Sequence, residues 1–279
     1  MKLLFQPPVC IKSGLHLLLK RFNLAMRRVL GNIKLIIKNE ILYRDPEKLF
    51  KHRYDNFEII NFDLWAKLDI DGMISSYHVI PHDPAFVSIS QNIHLEHTIA
   101  LSIREMWNIY NWVRKTESVI GDIAEVGVYK GGSAKIICEA KKNKNLHLFD
   151  TFMGLPEKSD IDNLSAGDVC GDSFADVIKY LAKYKNVFYY PGIFPDTAQN
   201  DGLTNTKYSF IHVDVDTYKS TKACLEYFYL KMSAGGVIIS HDYRCKHLPG
   251  VKLAIDEFFA DKPEIVIELW DTQAFIIKL

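Results

Sequence analysis

The stretch GDIAEVGVYKGGSA, residues 121–134, is the one from which the rest of the chain can be read. Ile123, Ala124, Val126 and Val128 dominate 122–128 and predict a short buried strand. The glycines and small residues that follow let backbone approach a ligand before a helix begins. Strand, tight loop and helix in that order make a cradle for a cofactor. The spacing, Gly127-x-x-x-Gly131-Gly132, puts Tyr129 where the dinucleotide fingerprint needs its second glycine, which counts against NAD. Glu125 sets a carboxylate just ahead of the loop, where it would repel a pyrophosphate at short range in a low dielectric. A ligand with a cationic end and no phosphate suits that carboxylate better. S-adenosylmethionine, with its amine, sulfonium and adenosine, is such a ligand. An ordinary α/β core turn with an incidental glycine pair is the bland alternative.

Around this centre, 279 residues with 48% hydrophobic content allow one sizeable α/β core plus an extension. A formal net charge of zero gives no reason to expect a nucleic acid partner. Cys10, Cys138, Cys170, Cys224 and Cys245 are odd in number and never form a C-x-x-C pair. That argues against a disulfide framework or a zinc knuckle and for a reducing, cytoplasmic setting. No apolar run approaches the roughly 20 residues needed to cross a bilayer.

Upstream, residues 1–44 are strongly basic, with Glu40 as their one acidic residue. Leu15, Leu18, Phe22, Ala25, Val29, Ile33 and Ile36 recur at helical steps, which predicts a basic amphipathic helical arm. Its stripe would pack on the catalytic body or on a second copy, as in a homodimer; its functional use would be peripheral attachment to the anionic inner face of a membrane. Residues 45–93, with Pro46, Pro81 and Pro84, read as an irregular connector with short helices. Residues 94–279 read as the catalytic domain. It opens with a helix striped by Leu95, Ile99, Ile103, Met106, Tyr110 and Val113, with Thr98 as an early cap.

Downstream, strands are expected at 146–149, 187–190, 208–213, 236–240, 265–269 and 274–278, and helices at 133–142, 173–184, 217–232 and 251–259. The last two strands are joined only by a turn at Asp271 and Thr272, so they must be antiparallel. Asp150, about 20 residues past the glycine loop, is placed to bind a ribose diol, a need shared by NAD and S-adenosylmethionine enzymes. FIHVDVDTYKST brings Asp214 and Asp216 to the end of one strand, and IISHDYR brings His241, Asp242 and Tyr243 to the end of the next. In an open parallel sheet those ends face one crevice. Convergent carboxylates repel one another unless a cation or proton joins them, and a divalent metal would also ease deprotonation of a poorly nucleophilic hydroxyl.

GDIAEVGVYKGGSA, LFDTFMGLP (148–156), YPGIFPDT (190–197), FIHVDVDTYKST and the Asp242–Tyr243 pair together resemble the macrocin O-methyltransferase family of sugar methyltransferases, over about 98–279. The resemblance implies a class I methyltransferase fold: a Rossmann-like, mostly parallel sheet with a C-terminal antiparallel hairpin and helices on both faces. It implies S-adenosylmethionine as donor, a divalent metal, usually magnesium, and a sugar or glycan acceptor. By position, Asp214 and Asp242 would be metal ligands, with Asp216 the general base. Glu125, Gly127 and Gly131 would hold the methionine part and Asp150 the ribose, with Tyr129, Ser133 and Ser173 completing the expected cofactor set. One position departs. The family shows two successive aspartates before the tyrosine, and His241 replaces the first. Imidazole suits manganese, iron or zinc better than magnesium, so His241 is either a third ligand or a hydrogen-bonding neighbour of the other two. His212 reads as structural, and for His247, in a polar loop beside the crevice, a substrate contact is the lesser of two readings. Trp107, Trp112 and residues 227–229 read as core. The competing readings are a catechol-type O-methyltransferase, an idle cofactor-binding module of a glycan assembly, and a dehydrogenase.

Overall fold

In a computed structural model that describes residues 83–96, 99–157, 161–162, 164–199, 202–269 and 271–279, seven strands form one sheet. They are β1 (Asp122–Val126), β2 (Leu146–Asp150), β3 (Val187–Pro191), β4 (Tyr208–Val213), β5 (Met232–Ser240), β6 (Ile267–Glu268) and β7 (Ala274–Ile277). Their order is β3-β2-β1-β4-β5-β7-β6. β1 to β5 pair in parallel, whereas β7 runs antiparallel to both β5 and β6. The chain winds outward from β1 to β3, then returns to lay β4 on the other side of β1. A crevice therefore opens beyond the carboxyl ends of β1 and β4.

The helices are α1 (Pro84–Leu95), α2 (Ile103–Lys115), α3 (Gly132–Ala140), α4 (Phe174–Leu181), α5 (Tyr218–Phe228) and α6 (Pro249–Phe259). They cover both faces because neighbouring strand residues point opposite ways. Ile123, Phe210 and Ile239 pack with Met106, Ile109 and Val113 of α2 and with Ile136 and Ile137 of α3. Ala124, Ile211 and Ile238 pack with Leu225 and Phe228 of α5 and with Val251 and Ile255 of α6. Every residue of β4 is buried, as expected for a central parallel strand. Trp107 and Trp112 pack against the first of these layers, and Tyr227 and Tyr229 against the second, as core rather than as a sugar platform.

Several boundaries differ from the sequence reading. Within the tract taken as an irregular connector, α1 is a regular helix that buries Phe86 and Ile93. Pro84 does not break it, because the proline sits at the first helical position, where a missing N–H costs nothing. Asp83 caps it, its Oδ1 accepting from the N–H groups of Ala85 at 3.0 Å and Phe86 at 3.1 Å. The helix expected from Leu95 onward begins only at Ile103, and its cap is Ser102. There Ser102 Oγ accepts from Glu105 N–H while Ser102 N–H donates to Glu105 Oε2 at 2.9 Å, a reciprocal capping box. Thr98, the expected cap, lies outside the described residues. β1 stops at Val126, two residues early, since the N–H groups of Val128 and Tyr129 leave the ladder for the Asp150 carboxylate. All the described residues fall within one compact unit, Ile70–Leu279. The basic arm read over 1–44 lies outside the described residues. Among those described, no helix is long and apolar enough to cross a membrane.

Candidate active site

The crevice holds a cavity of about 360 Å³, large enough for a small-molecule ligand. One wall is the glycine loop. Gly127 adopts φ +87°, and a Cβ there would stand 1.7 Å from the carbonyl oxygen of Asp214, so no other residue fits between β1 and β4. Gly131, also left-handed at φ +83°, starts α3. Asp150 Oδ2 accepts from Val128 N–H at 2.6 Å and Tyr129 N–H at 2.9 Å, while Oδ1 accepts from Phe152 N–H at 2.7 Å. The carboxylate expected on a ribose thus also fastens the loop. Gly127, Tyr129, Ser133 and Asp150 all line the cavity.

Glu125, Gly131 and Ser173 do not line it. Ser173 is exposed, and its hydroxyl caps α4 by accepting from Asp176 N–H; the residue types that cap helices are the same ones that touch ligands. Glu125 is fully buried, facing its register partner His212, whose Nδ1 lies 2.8 Å from Glu125 Oε1. His212 is therefore structural, and exposed His247 does not reach the cavity. Burial outweighs the histidine and raises the pKa of Glu125. Its Oε2 has no hydrogen-bond partner among the described residues, while on the cavity wall itself a ligand would meet Gly127, which admits no Cβ, and the carboxylate of Asp150. The residues present thus fit S-adenosylmethionine.

The facing wall carries Asp214, Asp216, His241 and Asp242. Asp216 (φ +59°) and Asp242 (φ +62°) both occupy the left-handed region, a conformation held at some cost where it aims functional groups. His241 sits between carboxylates: Nδ1 is 3.2 Å from Asp214 Oδ1 and 2.9 Å from Asp242 Oδ2, and Nε2 is 3.4 Å from Glu105 Oε1. Burial opposes charge on this imidazole, but the carboxylates, Asp214 foremost, outweigh it and hold its pKa well above the ordinary value. Burial likewise works against the Asp214 carboxylate, and the imidazole reverses the sign and lowers its pKa. At Asp216 the pull of the imidazole is outweighed, and burial, then the charges of Asp214 and Asp242, push it up to about 8. A carboxyl poised near neutral pH is suited to proton exchange. Asp214, His241 and Asp242 can each offer a donor atom within 4.8 Å of the others. Two carboxylates and an imidazole fit a divalent ion, and the nitrogen favours manganese, iron or zinc over magnesium.

Sequence reading missed Glu105, which is only 3% exposed. Its Oε1 also accepts from Thr272 Oγ1 at 2.7 Å and Thr272 N–H at 3.0 Å. Burial would raise its pKa, but His241, Thr272 and Ser102 together hold it down to about 2. The signal available was Ser102-x-x-Glu105 ahead of an apolar stripe, which marks a helix start but not a contact 136 positions along the chain.

This strand order, with a glycine loop after β1 and an acidic residue ending β2, defines a class I methyltransferase. Residues 102–269 match the model of the macrocin-O-methyltransferase (TylF) family, and the chain belongs to that family. It is thus an S-adenosylmethionine-dependent O-methyltransferase. A demethyldecarbamoylnovobiocin O-methyltransferase of Streptomyces niveus is 28% identical over 62% of this chain and 71% of its own length. An 8-demethyl-8-(2,3-dimethoxy-alpha-L-rhamnosyl)-tetracenomycin-C 4'-O-methyltransferase of Streptomyces olivaceus is 27% identical over 46% and 54%. The solved structure of the O-methyltransferase NovP shares the fold, with a TM-score of 0.59 at 21% identity, covering 78% of this chain and 99% of that one.

Proposed function

We propose that the enzyme methylates a sugar hydroxyl of a glycan, glycolipid or glycosylated metabolite, with a divalent ion held by Asp214, His241 and Asp242. The observation that carries this reading is the convergence of those three residues and Asp216 on the cavity whose other wall is the glycine cradle. A relative named for a rhamnosyl compound supports a sugar as acceptor. When bound, a divalent ion makes a hydroxyl more acidic and orients it. Gly127, Gly131 and Asp150 shape the donor's seat, and Asp216, beside the carboxylate pair, takes the hydroxyl proton on its Oδ as the methyl group leaves sulfur. The apolar wall of Ile99, Leu101, Leu155 and Val169 keeps water from the transfer.

The test is incubation with methyl-labelled S-adenosylmethionine and glycan and glycolipid extracts, with and without chelator. Label is expected in a saccharide fraction, lost on chelation and restored by a divalent cation. Asp242→Ala is expected to lose at least about 100-fold in methyl transfer while still binding S-adenosylhomocysteine, since its carboxylate belongs to the cluster with Asp214 and His241 and not to the glycine loop. Transfer unaffected by chelator and by Asp242→Ala would remove the ion from the reaction, and label in a catechol but in no saccharide would overturn the acceptor.

A further inference from the structure

The carboxylate of Glu105 reaches the functional wall from outside it. It belongs to the first turn of α2, yet its Oε1 lies 3.4 Å from Nε2 of His241, the ring nitrogen turned away from Asp214 and Asp242. Three groups fix that oxygen and its partner: Ser102 N–H holds Oε2, and Thr272 holds Oε1 with both its hydroxyl and its N–H. Glu105 is therefore not free to follow His241 if the ring turns; the ring must present a nitrogen to Glu105. With Nε2 facing this carboxylate at 3.4 Å, Nδ1 is left aimed at the gap between Asp214 and Asp242. A histidine that serves as a metal ligand commonly donates its other ring N–H to a carboxylate, which fixes the tautomer and strengthens the ligating nitrogen.

We propose that Glu105 is a positioning residue that presents Nδ1 of His241 as a nitrogen ligand, and that the Glu105–His241 pair biases the site toward manganese-type ions over magnesium. This rests on the metal reading proposed above. The order of preference follows from chemistry: Mg²⁺ takes oxygen donors almost exclusively, whereas imidazole nitrogen is an ordinary donor to Mn²⁺.

The experiment titrates the purified full-length chain with Mn²⁺ alone and Mg²⁺ alone by calorimetry and records the nitrogen modulation of the Mn²⁺ electron-spin-echo signal. The wild type is expected to bind Mn²⁺ at least about 10-fold more tightly than Mg²⁺ and to show coupling to an imidazole nitrogen. Glu105→Gln retains the capping box and is expected to weaken Mn²⁺ binding by about 10- to 100-fold. His241→Asp is expected to abolish the nitrogen coupling and narrow the preference for Mn²⁺ over Mg²⁺. Adding Glu105→Gln to His241→Asp is then expected to change affinity by less than about 3-fold, because the carboxylate has lost the ring through which it acts. Should Glu105→Gln fail to fold, Glu105→Asp keeps the charge but withdraws it from the ring, and a loss of affinity of the same sign is expected. Equal Mn²⁺ affinity in the Glu105 variants and the wild type would overturn this inference alone, as would absent nitrogen coupling or an undiminished Glu105→Gln effect beside His241→Asp. A wild type that takes up neither ion would overturn the metal reading and this inference with it.

Discussion

At Gly127 a single hydrogen in place of a side chain lets the main chain of β1 touch that of β4, and the whole crevice depends on that contact. A Cβ would collide with backbone at 1.7 Å in a conformation, φ +87°, that L-residues already adopt at a cost of about 1–2 kcal/mol. Gly127→Ala is expected to destabilise the protein by more than about 3 kcal/mol, read from the shift of its urea midpoint. Glu105 gives a second expectation, in pH. Its folded-state pKa, about 2, lies below the ordinary 4.5, so the stability it confers is fully present above about pH 4.5 and is lost as pH falls from there toward 2. Urea midpoints of the wild type and Glu105→Gln are expected to lie apart at pH 7 and to draw together as pH falls from about 4.5 toward 2; a gap that widens in acid would contradict the assignment. Asp150, Asp214, Asp216, His241 and Asp242 were legible as lining one crevice because each lies at or just past a strand end, and strand ends in a parallel sheet share one edge. Glu105 was not, since its role depends on which way α2 enters the body. Glu125 was placed correctly on its strand, but the alternation of faces alone does not say that His212 would take up one of its oxygens.

At the level of elements, apolar runs found the strands and local chemistry set their ends. The sequence reading marked the six expected strands and the central one within a residue or two, apart from β5, which begins four residues earlier at Met232, and the β6 edge, which keeps only Ile267–Glu268. Parallel strands buried on both faces carry the strongest signal a sequence offers. The helices before β1 were misread because periodicity ignores caps: the stripe through Leu95 and Ile99 continues across a break that Ser102 imposes. Pro84 was taken for punctuation when it stands at a helix start. Asp83→Ala is expected to cost about 1 kcal/mol, seen as a lowering of Tm by roughly 2–4 °C with methyl transfer unchanged at temperatures below the melt.

For the molecule as a whole, the described body is a scaffold that brings a glycine loop and a cluster of acidic side chains to one opening. S-adenosylhomocysteine at 100 times its Kd is expected to stabilise the body by about 2.7 kcal/mol, raising Tm by roughly 5–10 °C, while NAD at the same concentration leaves it unchanged. An equal response to NAD would mean that the loop with Tyr129 in place of a glycine still accepts a dinucleotide. The contact between Gly127 and the carbonyl of Asp214 ties these halves together. Because the donor's seat leans on the very peptide that carries the acidic wall, neither side can rearrange without moving its neighbour, so whatever one guest gains from the other's presence must be returned in equal measure. Filling order would then alter the path and leave the final assembly the same.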